Sequence, residues 1–284
     1  MKILTNLIPL IERYDLFIID IWGIIHDGKK LYPNILQSLE KIQKFEKKIV
    51  FLSNAPRRSF KTAEVLEDFG IGKDKYDLVY TSGETAFEYF IRLSHEGITK
   101  KYYYIGPEKD RDVLHGTSHI RVQDPSVADI AIATGLEPDE TITDISNAIK
   151  ATYEAGLELF CINPDKIVIR QDGTKQICAG AIADEYHDLG GEVTYFGKPY
   201  PTVYESIMKR FSVEAKRVLC IGDTIHTDIA GANMMGYDSL FITSGTHVED
   251  LQTKVGQLPD EKKLQAFLKK AEVKPDYIAA LFEI

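Results

Sequence analysis

Four groups of polar residues directly follow short apolar segments of this sequence. Each segment has the length and composition of a strand that is buried on both faces of a parallel sheet. The carboxyl ends of parallel strands open onto one crevice, so polar residues at those ends are expected to lie close together. The groups are Asp20, Ser53 with Asn54, Lys198, and Gly222-Asp223 with Asp228.

These residue types suit chemistry on a phosphoryl group. Asp20 and Asp223 could hold a hard cation such as Mg2+ through oxygen ligands, and such a metal orients and neutralises phosphate. The Ser53 hydroxyl and the loop amide beside it could bind phosphoryl oxygens, while the Lys198 ammonium could offset negative charge in the transition state. An aspartate can also be the nucleophile and form an aspartyl-phosphate.

Each of these residues also has an ordinary structural explanation. Ser53 and Asn54 could cap the following helix, and Lys198 could be a solvated surface lysine. Asp223 could belong to a turn, and Asp228 could lie near a helix start to suit the helix dipole. The occurrence of all four groups in chain order, each after a strand-like segment, favours the functional interpretation.

The elements that would position these residues alternate between strands and helices. Apolar segments predict strands over residues 16–19, 49–52 and 78–81, and amphipathic helices over 34–47 and 59–69 separate them. This order predicts an α/β fold with a doubly wound parallel sheet and right-handed crossovers.

A second α/β unit is predicted between two parts of the first. Turn residues and alternating strands and helices run from about residue 84 to Gly190-Gly191. The first pattern then returns, beginning with a predicted strand over residues 193–196. We therefore predict a discontinuous core of residues 1–83 and 190–284 with an inserted α/β domain of residues 84–189. The first fourteen residues are predicted to form a helical lead-in.

Composition excludes several classes of protein. The 284 residues are 44% hydrophobic and 27% charged, which is ordinary for a globular protein. The net charge of -9 argues against a nucleic-acid or membrane partner, and no apolar stretch is long enough to span a bilayer. Cys161, Cys178 and Cys220 lack metal-site spacing, and the sequence begins without a secretory pattern. Reduced thiols in a cytoplasmic protein are expected.

The combined motifs resemble the haloacid dehalogenase superfamily, in particular its NagD-like branch, subfamily IIA. The resemblance implies a Rossmann-like core with an inserted α/β cap domain and Mg2+ as cofactor. It implies Asp20 as nucleophile, Ser53 as the second-motif hydroxyl and Lys198 as the third-motif lysine. The segment from Gly222 to Asp228 looks like the metal motif, so the implied ligands are Asp20, the backbone carbonyl of Trp22, Asp223 and Asp228.

The inserted segment also resembles this branch, at Asn163-Pro164-Asp165 and Ala179-Gly180-Ala181. The resemblance implies that the cap domain selects the substrate, a small phosphorylated metabolite, and that two copies pair through the cap. On its own chemistry, Asn163-Pro164-Asp165 could be only a turn. The candidate substrate-binding residues are Asn54, Trp22, Asn163, Asp165 and Gly180.

One position departs from the family pattern. Phosphatases of the superfamily carry Asp-x-Asp in the first motif, whereas this sequence has Asp20-Ile21-Trp22. The second aspartate of the family protonates the leaving oxygen and later activates water. An indole N–H can donate a hydrogen bond but is not acidic at neutral pH. Loss of a general acid/base ordinarily costs about two to four powers of ten in rate.

Three interpretations of this departure remain open. The protein could be a slow or leaving-group-selective phosphatase, since an acyl or aryl phosphate departs with little protonation. His26 could replace the missing acid/base, with His226 a weaker candidate, although a turn residue bonded to nearby backbone is the more ordinary role for His26. The site could instead bind a phosphorylated ligand without turnover. Trp22 itself could pack under the cap or stack on a flat substrate group.

Overall fold

A computed structural model describes residues 1–169 and 175–284 of the protein. The strands in these residues, numbered in chain order, are β1 (Lys2–Ile3), β2 (Leu16–Asp20), β3 (Lys48–Ser53), β4 (Leu78–Thr81), β5 (Lys101–Ile105), β6 (Ile120–Val122), β7 (Ile130–Ala133), β8 (Leu159–Cys161), β9 (Ile167–Ile169), β10 (Lys175–Ile177), β11 (Val193–Tyr195), β12 (Val218–Gly222), β13 (Asp238–Ile242) and β14 (Tyr277–Ala279).

The helices alternate with these strands along most of the chain. They are α1 (Ile8–Arg13), α2 (Ile35–Lys44), α3 (Ser59–Asp68), α4 (Ser82–His95), α5 (Ser146–Glu154), α6 (Ala179–Asp188), α7 (Pro201–Met208), α8 (Ala230–Met235) and α9 (Glu261–Ala271). No helix within the described parts of the chain has the length and apolar character needed to cross a bilayer.

The chain divides into two compact units. The first consists of residues 1–53, 63–80 and 198–284, and the second of residues 54–62 and 81–197. The predicted division into domains after residues 83 and 189 stays a prediction.

The sheet of the first unit contains seven of the described strands, in the order β1-β14-β13-β12-β2-β3-β4. All pairings from β1 to β3 are parallel, which confirms the predicted α/β class. Every residue of β2 is buried. Phe17 and Ile19 pack on one face with residues of α2, whereas Leu16 and Ile18 pack on the other face with residues of α7. The strand is therefore covered on both sides, as its uninterrupted apolar run predicts.

The second unit has its own parallel sheet, in the order β11-β8-β7-β5-β6. A short antiparallel pair, β9 with β10, accompanies it. Apolar side chains on the two faces of this sheet form two separate clusters. The helix α4 begins at Ser82 because the side chain of Thr81 accepts a hydrogen bond from the amide of Glu84.

Three sequence-based assignments differ from the structure. The strand predicted over residues 193–196 pairs with β8 in the second sheet and not with the first sheet, because periodicity alone does not say which sheet a short strand joins. The predicted lead-in helix begins only at Ile8, and residues 2–3 form a strand beside β14. Pro9 lies in the first turn of α1, and its missing N–H and bulky ring prevent the helix from extending backwards. The edge strand β14 was not predicted.

Candidate active site

The register of the central strands places two aspartates side by side. Ile19 of β2 pairs with Ile221 of β12, so Asp20 ends its strand next to Gly222. Asp223 follows at once, and its side chain is 1% exposed. Because the two strands are parallel, both carboxylates emerge at the same edge of the sheet. The predicted convergence of Asp20 and Asp223 rests on this pairing.

Lys198 joins the cluster by binding two carboxylates and a backbone carbonyl. Its Nζ lies 2.5 Å from Oδ1 of Asp20 and 2.7 Å from Oδ1 of Asp228. It also donates to the carbonyl oxygen of Leu52 at 3.3 Å, the residue that pairs with Asp20 in β3. The lysine and both of its carboxylate partners are buried. Lys198 is therefore held as an internal cation and not as a solvated surface lysine.

Asp223 is enclosed by backbone that only glycine permits. A Cβ atom on Gly23 would lie 2.1 Å from Oδ2 of Asp223, and one on Gly245 would lie 2.0 Å from the same oxygen. Gly23 also has a φ of +84°, which L side chains rarely adopt. Thr246 donates to this oxygen twice, from its amide at 2.5 Å and its hydroxyl at 2.8 Å. The loop after β13 thus fixes the orientation of this carboxylate.

Asp228 lies in a π-helical turn, close to the start of a helix. The turn covers Ile225–Ile229 and leads directly into α8. Oδ2 of Asp228 accepts a hydrogen bond of 3.0 Å from the amide of Thr224, and Oδ1 binds Lys198. A Cβ atom on Gly222 would lie 2.1 Å from Cγ of Asp228. Both Asp228 oxygens therefore have partners, and one of these partners is the ammonium group of Lys198.

The electrostatics of the cluster are unfavourable for the charged carboxylates. Burial raises the pKa of Asp20 well above its usual range, and the neighbouring Asp228 and Asp223 raise it further against the opposing effect of Lys198. Burial, and then the charge of Asp228, raises the pKa of Asp223 to about 6. Removal from water and like charges both disfavour ionised carboxylates. A bound cation would relieve both effects.

The carboxylates lie close enough together to hold a divalent cation after small shifts of their side chains. One oxygen from each of Asp20, Asp223 and Asp228 lies within 4.8 Å of the others. An octahedral Mg2+ with ligands at about 2.1 Å brings neighbouring oxygens to about 3 Å, so small side-chain shifts suffice. With Lys198, these residues carry two excess negative charges when all are ionised. Oδ2 of Asp20 accepts no hydrogen bond from the described residues, so this oxygen is available for chemistry.

Trp22 and His26 lie in the loop after Asp20. Trp22 is half-buried, and its ring meets the ring of His26 edge-on, with centroids 5.6 Å apart. His26 is 5% exposed and stacks on Phe69 at 4.5 Å. Its Nδ1 accepts a hydrogen bond from the amide of Gly28 at 3.0 Å.

The protonation of His26 determines whether it can replace the missing acid/base. Burial lowers its pKa to about 4, so the ring is neutral at pH 7. A neutral imidazole whose Nδ1 accepts must carry its proton on Nε2. Nε2 can then donate a hydrogen bond but cannot accept a proton. The proposal that His26 replaces the acid/base stays a prediction that this tautomer does not favour, and His226 is exposed in the π-helical turn.

The other predicted substrate-binding residues are joined by hydrogen bonds within the second unit. Asn54 donates to Oδ1 of Asp165 at 2.9 Å, and Asn163 accepts from the amide of Asp165 at 3.1 Å. The amide of Gly180 donates to the carbonyl of Asp165 at 3.1 Å. Ser53 ends β3 in the first unit and is half-buried. The roles of these residues in substrate binding stay predictions.

Two models of known families match most of this framework. A haloacid dehalogenase-like hydrolase model matches residues 17–118, and a HAD-hydrolase-like model matches residues 195–280. The first match contains Asp20, and the second contains Lys198, Asp223 and Asp228. The chain belongs to the haloacid dehalogenase superfamily of hydrolases.

Relatives of this superfamily resemble the chain over most of its length. A 4-nitrophenylphosphatase from Schizosaccharomyces pombe is 24% identical over 283 residues, 92% of this chain and 95% of the relative. The sugar-phosphatase AraL of Bacillus subtilis is 26% identical and covers 81% of this chain and 83% of its own. The crystal structure of a haloacid dehalogenase-like hydrolase from Brucella suis 1330 is 28% identical, with a TM-score of 0.80 over 97% of this chain and 98% of that one. These similarities place the chain in the NagD-like branch, subfamily IIA.

Sequence reasoning missed part of the site that this superfamily member builds around Asp223. Gly245 and Thr246 follow the carboxyl end of β13, at the same edge of the sheet as Asp20. Their position after a strand was therefore a usable signal. It was not distinctive, because glycine and hydroxyl residues commonly end strands in turns. The carbonyl of Leu52 carries no sequence signal.

Proposed function

We propose that the protein is a Mg2+-dependent phosphomonoester hydrolase that acts through an aspartyl-phosphate on Asp20. The observation that supports this most directly is the buried cluster of three carboxylates, two of which bind Lys198, with one oxygen of Asp20 left available. The phosphatase relatives support the reaction class.

The proposed reaction has two displacements at phosphorus. Oδ2 of Asp20 attacks the phosphorus atom, the P–O bond to the leaving group breaks, and the leaving group departs with the electron pair. A water molecule then attacks the phosphorus, and the bond to Asp20 breaks. The carboxylate is restored, and both protons of the water leave with inorganic phosphate.

The residues of the cluster would divide the remaining work. The Lys198 ammonium offsets charge on the phosphoryl oxygens, and Asp228 holds that ammonium beside Asp20. Asp20, Asp223, Asp228 and the Trp22 carbonyl would hold Mg2+, which neutralises and orients phosphate when bound. Thr246 keeps Asp223 in its ligating orientation. The hydroxyl of Ser53 would bind a phosphoryl oxygen.

Trp22 limits which substrates turn over quickly. No proton is available from the indole for the leaving oxygen. Esters of acidic hydroxyl groups and acyl phosphates depart as stable anions, whereas alkyl phosphates need protonation. We therefore propose a slow or leaving-group-selective phosphatase that acts on a small phosphorylated metabolite.

The direct test is release of phosphate from 4-nitrophenyl phosphate with and without Mg2+. We expect turnover in Mg2+, loss of turnover in EDTA, and loss in Asp20→Asn. Equal activity of Asp20→Asn and the wild type would refute the proposal. Trp22→Asp should raise the rate for alkyl phosphates. If a folded Trp22→Asp variant hydrolyses alkyl phosphates no faster than the wild type, Trp22 is not the residue that limits their turnover.

A second candidate function is binding of a phosphorylated ligand without turnover, in a regulatory protein that retains the metal site. Trp22 in place of the acid/base residue is the observation that favours it. A screen of phosphorylated metabolites on wild type and Trp22→Asp would separate the two functions. Binding without phosphate release from any ester would support the second.

Three further expectations remain proposals of the same kind. The cap residues Asn163 and Asp165 would contribute to substrate choice, two copies would pair through the cap, and the protein would be cytoplasmic. Exchange of Asp165 for Ala should alter the substrate profile in that metabolite screen. The same profile in both proteins would remove Asp165 from the set.

A further inference from the structure

Trp22 borders the carboxylate cluster. Asp20 belongs to the cluster, and the Gly23 backbone presses so closely on Asp223 that a Cβ atom there would lie 2.1 Å from Oδ2. Neighbouring Cα atoms are about 3.8 Å apart, and two residues span at most about 7 Å. The Trp22 backbone is therefore within about 7 Å of Asp20 and directly next to the residue that contacts Asp223.

The ring of Trp22 contacts the ring of His26, which in turn stacks on Phe69. It meets His26 at an interplanar angle of 80°, and His26 stacks on Phe69 at 14°. The hydrogen bond from Gly28 fixes the imidazole, and the amide of Gly23 donates to the carbonyl of His26 at 3.1 Å. His26 is buried, whereas Trp22 keeps part of its surface exposed. We call Trp22, His26 and Phe69 the aromatic support.

Two physical properties of this arrangement point to the same class of ligand. Trp22 is partly exposed, and an indole ring can stack on a planar group, as aromatic pairs do. It offers no acid, so a leaving group must depart as a stable anion. A phenolic leaving group meets both conditions, because it is planar and more acidic than an alcohol. An acyl phosphate meets only the second, and a sugar phosphate meets neither.

We propose that Trp22 is a specificity-determining residue for aryl phosphates, whose aromatic leaving group stacks on the indole, and that His26 is a positioning residue that orients that indole. This inference rests on the proposed function for its reaction and on the aromatic support for its substrate class. Orienting the indole is a function that His26 can perform with its proton on Nε2.

The first test measures binding without turnover. Trp22 is the single tryptophan of the sequence, so fluorescence excited at wavelengths that tryptophan absorbs and tyrosine does not reports on this residue. In Mg2+, phenylphosphonate should quench the fluorescence and bind about threefold to tenfold more tightly than methylphosphonate, which corresponds to one aromatic pair. Equal dissociation constants for the two phosphonates, measured by calorimetry, would overturn the stacking. Because neither compound is hydrolysed, this result does not depend on whether the protein is a phosphatase.

The second test compares substrates in variants. In the wild type, kcat/KM should favour 2-naphthyl phosphate over phenyl phosphate, whose phenols have similar acidity. Trp22→Leu should lower the ratio of kcat/KM for 2-naphthyl phosphate to kcat/KM for acetyl phosphate about threefold to tenfold, while Trp22→Phe should restore most of the preference. If the ratio of kcat/KM for 2-naphthyl phosphate to kcat/KM for acetyl phosphate is the same in the wild type and in Trp22→Leu, the assignment is refuted.

His26 is tested through the orientation that it provides. His26→Leu should shift the emission spectrum of Trp22 and raise KM for 2-naphthyl phosphate, with kcat for acetyl phosphate preserved. An unchanged emission spectrum together with unchanged KM would overturn the positioning function. If phosphonates bind as expected but no phosphate ester is hydrolysed, the proposed function fails and the stacking stands.

Discussion

The two ends of β2 carry the same residue type in opposite environments. Asp15 precedes the strand and is paired with Arg217 through two hydrogen bonds of 2.7 and 2.8 Å and with Lys47 at 2.7 Å. Its carboxylate is 41% exposed, and the bonds from Arg217 and then Lys47 hold its pKa far below the usual range. Asp20 ends the strand, is buried, and shares one lysine with Asp228, while burial raises its pKa.

The same contrast extends along the sheet. At the amino ends of the strands, Asp238 of β13 pairs with Arg13 at 2.9 Å, and Lys48 of β3 pairs with Asp77 at 2.8 Å. At the carboxyl ends, buried carboxylates outnumber the lysine that they share. A fold gains little by burying like charges together, so such an arrangement indicates a site kept for function. At the amino ends of the strands, by contrast, each carboxylate is paired with a cation, and these pairs contribute only to the stability of the fold.

The largest expected effect comes from replacing Asp20, the aspartate at the carboxyl end of β2. Asp20→Asn should lower phosphate release by roughly a thousandfold or more, because the amide cannot be the nucleophile. It should not lower the melting temperature, since one of several mutually repelling buried charges is removed. Phosphate release and thermal unfolding would be measured together.

Asp15→Asn is the matched control for that experiment. It changes the same residue type at the other end of the same strand and should keep near-normal turnover. A similar loss of activity in both variants would show that the contrast between the two ends does not separate function from stability.

The second prediction concerns the shared cation. Lys198→Met should lower the free energy of unfolding by about 3–5 kcal/mol without Mg2+, because the buried carboxylates lose their counter-charge. Mg2+ should then raise the melting temperature more in this variant than in the wild type. Lys47→Met, which removes a partner of the exposed Asp15, is the control and should show no such Mg2+ effect. An equal Mg2+ response in wild type and Lys198→Met would contradict a metal at these carboxylates.

The sequence predicts part of this contrast between the two ends of the sheet. Some residues can be assigned to the site from a local pattern, whereas others depend on the path of the chain. Asp20 and Asp223 could be assigned, because a parallel strand has a direction and ligands bind at its carboxyl end. Lys198 was included in the polar set, and it contacts Asp20 and Asp228 although its preceding strand joins the other sheet. The convergence with Asp20 and Asp228 depends on the path of the chain after that strand, which no local pattern encodes.

Other parts of the site depend on facts that sequence does not contain. The tautomer of His26 follows from the Gly28 amide and from burial, and the residue type alone also allows catalysis. The interaction of Thr246 with Asp223 depends on a close approach of two loops. Gly23 could be read as a turn residue, but the carboxylate against which it packs is far away in the sequence.

The third prediction tests the enclosure of Asp223. Gly245→Ala should weaken Mg2+ binding about tenfold to a hundredfold, because its Cβ would lie 2.0 Å from Oδ2 of Asp223 and displace the carboxylate. Thr246→Val, which keeps the amide donor and removes the hydroxyl, should have the smaller effect. Calorimetric titration with Mg2+ measures both.

Gly72→Ala is the control for added volume at a glycine. Its Cβ would meet only the side chain of Asp74, which is exposed and free to move. Unchanged Mg2+ affinity in Gly245→Ala would mean that Asp223 does not need this enclosure to bind the metal.

The smallest effect is expected at the amino end and has a definite pH dependence. The folded-state pKa of Asp15 lies below its unfolded value, so its pairing stabilises the protein fully above about pH 4 and loses that effect as the pH falls further. Because the carboxylate is 41% exposed, solvent screening limits the contribution to about 1 kcal/mol. Asp15→Asn should therefore unfold at lower urea than the wild type at pH 7, and the two should converge towards pH 2–3. If the difference in urea midpoint between the two proteins is the same across this pH range, Asp15 stabilises β2 through packing. The ion pairs at the amino end of the strand would then not contribute to stability through their charge.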